Sequence, residues 1–190
     1  MPIPPRPIAI LAYGSLLREP GSQLAPLIVG REPCVTPFPV EYGRASHRWN
    51  DGPVLVPHPD GGPVEGALLL LAAGLPLGAA VDLLAEREGL PSARGVVQVP
   101  MPGERLVLAA SLPRNLPRPD MLPAALARRA AASVPRGERN GVAYLRGAIE
   151  CGITTPRTAE YAREILEIAG VGTLEEAEAR LLALPATSGR

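Results

Sequence analysis

Glu88 carries the strongest chemical signal in this chain. It closes a short run, residues 77–88, ahead of Gly89. At helical spacing Leu77, Val81, Leu84 and Glu88 share one face, at steps of four, three and four. A carboxylate therefore stands where the pattern asks for a core side chain. Asp82 and Glu86 fall on another face, as solvated acids do. Gly89 is a C-terminal stop, and the carbonyl end of a helix carries partial negative charge. That charge and desolvation both disfavour a carboxylate's ionised form, the tuning that a general base or acid near neutral pH needs. The alternatives are a solvated acid at a frayed helix end, or one paired with a nearby arginine.

A second constellation is Tyr13-Gly14-Ser15-Leu16, which follows an apolar run. A strand ending in a glycine-containing loop presents backbone N–H groups that can hold an oxyanion or a carboxylate. By itself the tetrapeptide also reads as a plain turn. Ser15 makes a poor nucleophile. It lacks the Gly-x-Ser-x-Gly elbow, and only His47 and His58 are available as a base, the latter inside a Pro-His-Pro turn. Arg44, Arg48 and Trp49 form a basic-aromatic cluster suited to gripping a carboxylate, or equally a solvated edge strand with Trp49 partly in the core. No His, Cys or Asp cluster has metal-ligand spacing, and no dinucleotide or phosphate-loop fingerprint occurs.

The elements that must position these groups divide the chain. At 190 residues it suits one domain, or one domain with an appendage, expected as 1–150 followed by a helical extension, 151–190, packed on the same domain. Residues 8–13 read as a buried strand. Residues 35–42 read as an edge strand, because of Pro37 and Pro39. Residues 54–57 and 64–71 flank Asp60-Gly61-Gly62 and read as a hairpin, and 96–99 with 106–110 bracket Pro102-Gly103 as another. The last third reads as helices: 120–134 with Asp120 as cap, 141–151 capped by Asn140 and stopped by Gly152, one starting at Thr155-Pro156, and one opened by the capping box Thr173-Leu174-Glu175-Glu176 and running to about Leu184. On the third of these Tyr161, Ile165 and Ile168 share a face. Residues 113–123 are a proline-rich connector.

Bulk properties exclude several classes. The 19 basic residues are all arginine and balance 19 acids. Zero net charge argues against a dedicated nucleic-acid binder, while leaving room for a local arginine patch. Cys34 and Cys151 make no disulfide framework and read as buried thiols. No apolar stretch has transmembrane length and the N-terminus lacks a signal-peptide pattern, so the expectation is a cytoplasmic protein without a membrane partner.

Together these pieces resemble the γ-glutamylcyclotransferase superfamily, nearest its ChaC-type, glutathione-acting branch. Tyr13-Gly14-Ser15-Leu16 looks like that family's Tyr-Gly-Ser-Leu loop. The segment from Tyr42 to Trp49, the glycine-containing apolar strand at Val64-Glu65-Gly66-Ala67, and a helix ending in Arg87-Glu88 follow in the family's order. Asn140-Gly141-Val142-Ala143-Tyr144-Leu145 is similar to its later Asn-x-x-Tyr-Leu helix, with one extra residue between Asn and Tyr. The likeness spans most of residues 8–150.

The resemblance implies an α+β fold: a small mixed β-barrel or sheet with one crossing helix, followed by the C-terminal helices. It implies Glu88 as the catalytic residue, a small-molecule γ-glutamyl substrate, and no cofactor or metal. The implied reaction is cyclisation of a γ-glutamyl group to 5-oxoproline with release of an amine or peptide, such as Cys-Gly from glutathione. Tyr13, Gly14, Ser15, Leu16, Arg44 and Tyr144 would contact substrate. The rival reading is a non-enzymatic module binding a small molecule or partner, with the C-terminal helices docking another chain or forming a homodimer.

Overall fold

The computed structural model describes residues 6–110 and 122–183. In chain order these form β1 (Ile8–Ala12), α1 (Ser15–Arg18), β2 (Ile28–Val35), β3 (Val40–Ser46), β4 (Gly52–Pro57), β5 (Glu65–Leu71), α2 (Leu77–Glu88), β6 (Val96–Val99), β7 (Leu106–Ala110), α3 (Pro123–Ser133), α4 (Gly141–Glu150), α5 (Thr158–Ala169) and α6 (Leu174–Ala183). The chain divides into two units, Met1–Phe38 with Pro63–Asn115, and Pro39–Gly62 with Leu116–Arg190. Residues 150 and 151 both lie in the second.

In the first unit five strands make a sheet in the order β2-β5-β1-β7-β6. β1 runs antiparallel to β5 and parallel to β7. An unbroken apolar sequence suits this central strand, because side chains alternate between two covered faces. Ile10 and Ala12 pack in one cluster with Leu69, Leu71, Leu108 and, from α2, Ala80 and Leu84. Ala9 and Leu11 pack in a second cluster with Leu68, Val99, Val107 and Ala109. The α+β expectation holds. Of the barrel and sheet alternatives, the described residues form an open sheet with β2 and β6 at its edges.

The second unit pairs β3 with β4 antiparallel, with a register shift between Tyr42 and Arg44. α3 to α6 belong to this unit. Gly52 and Gly141 permit a close backbone approach between β4 and α4: a Cβ on Gly52 would lie 2.5 Å from the Gly141 nitrogen. Asn140 caps α4 as expected, accepting from the Ala143 N–H at 2.9 Å. The capping box of α6 is reciprocal, Glu176 N–H to Thr173 Oγ1 at 3.2 Å and Thr173 N–H to Glu176 Oε2 at 3.0 Å.

Several expectations are corrected. The strand expected at 35–42 is interrupted: β2 ends at Val35 and β3 begins at Val40, because Pro37 and Pro39 cannot donate to a ladder. Residues 54–57 and 64–71 are not a hairpin: β4 pairs with β3, and β5 pairs with β1 and β2. The hairpin of β6 and β7 is present. The helix expected at Thr155-Pro156 begins at Thr158, because the Thr155 N–H is held by Thr158 Oγ1 at 2.8 Å before the first turn. Its buried face runs through Thr158, Tyr161, Ile165 and Ala169, and Ile168 is 44% exposed. α3 starts at Pro123 after Leu122, with no side-chain cap, and Asp120 lies outside the described residues. So does most of the proline-rich connector. No helix among the described residues is long and apolar enough to cross a membrane.

Candidate functional site

α2 ends where the sequence says it should. Gly89 adopts a left-handed φ of 63°, and the Leu90 N–H reaches back to the Ala85 carbonyl at 2.9 Å. The helix presents Ala80, Leu84 and Arg87 inward, one residue round from the expected face, and Leu77 is 45% exposed. Glu88 is left at the margin, its side chain 22% exposed, while the Arg87 side chain is only 6% exposed. Of the readings open from the sequence, the inward core carboxylate gives way to the alternative of an acid paired with a nearby arginine: Arg87 Nη1 lies 2.5 Å from Glu88 Oε1.

In the sequence Arg87 stands only as the neighbour of Glu88, with no role of its own at the site. Its Nη2 donates to Ser15 Oγ at 3.3 Å and to the Glu19 carbonyl at 2.6 Å, and its Nε donates to the same carbonyl at 3.0 Å. One guanidinium thus joins Glu88 to both ends of α1. The i, i+4, i+7 spacing of Ala80, Leu84 and Arg87 was the available signal. An arginine can follow it because its aliphatic stem tolerates burial.

The Tyr13–Leu16 loop sits at the other side of this guanidinium. Gly14 has φ 62° and ψ −137°, a backbone that favours glycine, and turns the chain from β1 into α1. The Leu17 and Glu19 N–H groups return to the Gly14 and Ser15 carbonyls. The leading N–H groups of a helix, here Ser15 and Leu16, have no partner within it. The Leu16 side chain belongs to the core, at 5% exposure. Tyr13 is half-buried edge-on to Phe38, with ring centroids 5.8 Å apart.

Arg44 and Tyr144 belong to the second unit. Arg44 is half-buried at the shift in β3. Tyr144 is 6% exposed, accepts from the Leu55 N–H at 3.3 Å, and packs edge-on to Trp49 at 4.9 Å and to Tyr42 at 6.4 Å. Of the seven residues singled out, the structure brings together Glu88, Gly14, Ser15 and Leu16, with Tyr13 adjoining. Arg48 is exposed and Trp49 half-buried. His47 is fully exposed, 2.8 Å from Asp51, and His58 Nδ1 accepts from the Asp60 N–H at 3.1 Å within its turn. Cys34 and Cys151 are free and half-buried, and burial raises the Cys34 thiol first, with Glu65 adding to it. Among the described residues no group of three or more His, Cys, Asp or Glu could hold a metal ion.

A buried polar cluster in the second unit was also missed. Glu41 is fully buried in β3, accepting from the Tyr42 N–H at 2.9 Å and from Thr155 Oγ1 at 2.6 Å. Tyr42 and Tyr161 are fully buried with ring centroids 5.0 Å apart. Burial above all pushes both phenols up, with Tyr161, Tyr144 and Glu41 adding to the effect on Tyr42 and Tyr144 to that on Tyr161. The folded state therefore keeps these hydroxyls neutral where an unfolded chain ionises them, near pH ~10. Their contribution to stability is complete below that value and is lost as pH rises above it. We expect the unfolding free energy in urea to fall by about 1.4 kcal/mol per pH unit per buried tyrosine above pH ~10. Two of the chain's four tyrosines should resist ionisation until the protein unfolds. A smooth titration of all four in the ordinary range, followed by ultraviolet difference absorbance, would contradict this.

Compared with models of known protein families and with the sequences of curated proteins, the chain matches none.

Proposed function

We propose that the chain catalyses intramolecular cyclisation of a γ-glutamyl group to 5-oxoproline, releasing the attached amine or peptide, on a γ-glutamylcyclotransferase-like fold. The observation that carries this reading is the Arg87 guanidinium, which holds Glu88 and reaches Ser15, 72 residues away from it in sequence. A base and an N–H-presenting loop are thereby held in one place, as the resemblance requires. The substrate's α-amine attacks its own γ-carbonyl carbon, the new C–N bond closes the ring, and the old γ-amide bond breaks. Glu88 takes the proton from the attacking amine and returns it to the departing nitrogen. The Ser15 and Leu16 N–H groups receive the oxyanion or the glutamyl carboxylate. Tyr13 borders that position. Because both reacting groups belong to one molecule, catalysis rests mainly on holding a folded conformer. The chemistry is assigned to groups of the first unit alone.

The test is 5-oxoproline release from a panel of γ-glutamyl compounds, glutathione included. Release from at least one member is expected, and the panel identifies the leaving group. Failure with every member would favour the non-enzymatic binding module.

A further inference from the structure

We propose a second, separate site in the second unit: an arginine-lined cleft that binds a small phosphate-bearing anion. The cleft, of about 460 Å³, is lined by Asn50, Asp51, Arg128, Arg129, Ser133 and Arg136 among others. That volume falls within the range of small-molecule sites. Its charge is unbalanced. Arg136 is met by Asp51 at 2.8 Å, and Asp51 also lies 2.8 Å from His47. Among the described residues no acid meets Arg128 or Arg129, which are neighbours on α3 and both exposed. Two uncompensated guanidiniums in one concavity repel each other and focus a positive potential there.

A second observation points to the same cleft. Asn50 and Asp51 are the only non-glycine residues with positive φ among those described, at 53° and 64°. Asn and Asp adopt this backbone more readily than other side chains, and two in succession shape the turn from β3 to β4. Here it is held by the Asn50 N–H to the His47 carbonyl at 3.1 Å and the Asp51 N–H to the Ser46 carbonyl at 2.9 Å. It sets Asn50 and Asp51 in the lining beside the arginines.

The ligand class follows from this chemistry. Two unmatched guanidiniums call for two negative charges on one compact group, which a phosphomonoester or pyrophosphate supplies and a single carboxylate does not. Among the described residues no aromatic side chain lines the cleft, so none offers a surface for stacking a nucleobase. This inference is independent of the cyclisation reading.

Calorimetric titration of the full chain with pyrophosphate at low salt tests it. One saturable site per chain is expected, weakened at least roughly tenfold in R128Q/R129Q. The exposed control R163Q, outside the cleft, should bind as the wild type does. If the double variant loses its fold, R128Q and R129Q are measured singly, each with a smaller loss expected. Absence of saturable binding, equal affinity in the variants, or citrate binding as tightly as pyrophosphate would overturn the assignment. So would retention of duplex DNA without pyrophosphate binding, which would reassign the arginines to a nucleic-acid backbone.

Discussion

Replacing Glu88 with glutamine is expected to lower 5-oxoproline release by roughly 10²–10⁴-fold while leaving the fold intact. Glutamine preserves the shape of the side chain and its oxygen can still accept from Arg87. It cannot take a proton from the attacking amine or return one to the leaving nitrogen. The position is 22% exposed, at the last turn of α2. Because the Arg87 side chain is 6% exposed and loses its counter-charge, the unfolding free energy should fall by about 1–3 kcal/mol with the fold retained. kcat should fall with little change in KM, because the loss lies in the transition state. Near-wild-type turnover in this variant would remove Glu88 from the mechanism even if the reaction itself were established. A fall confined to KM would reassign the carboxylate to substrate binding.

The parts of this protein legible in its sequence are those fixed by local chemistry. The bounds of α2 follow from a periodic run closed by Gly89, and the starts of α4 and α6 from Asn140 and from the Thr173–Glu176 reciprocal cap. Each signal acts over a few residues and needs no distant partner. Strand pairing is different. Residues 54–57 and 64–71 each read correctly as extended, but their partners are set by packing against distant elements, and the turn signal at Asp60-Gly61-Gly62 cannot report that. Gly62 instead bridges back to Val40. The candidate site was legible in its parts and misjudged in its balance. A rotation of the α2 face by one residue exchanges Glu88 for Arg87 as the inward group, within the error of a helical wheel over twelve residues. Glu41 gave no warning at all. A strand covered on both faces buries consecutive residues, so alternation could not separate a buried acid from an exposed one. The neutral net charge leaves room for a local arginine patch, but its place cannot be read from the sequence: the cleft joins a turn at Asn50-Asp51 to the side of α3, distant in sequence.

Arg87→Lys should be the more damaging substitution for stability, although it conserves charge. The guanidinium reaches Glu88, Ser15 and the Glu19 carbonyl from three nitrogens in one plane. An ammonium is a single point on a flexible stem and cannot span all three. With the side chain 6% exposed, water does not replace what is lost. The Glu19 carbonyl would lose two charge-assisted bonds and Glu88 its fixed partner, for an expected loss of about 2–4 kcal/mol. A Cβ at position 21 would stand 3.3 Å from the Arg87 Cγ, so Gly21 leaves room for the arginine stem. Urea unfolding should show a lower midpoint with an unchanged slope, the pattern of a weakened native state. A loss under about 0.5 kcal/mol would mean that the arginine behaves as a surface ion pair. Activity separates the two roles further. If Arg87 positions Glu88, the lysine variant loses kcat even at temperatures where it remains fully folded. A folded variant with wild-type kcat would limit Arg87 to holding α1 against α2.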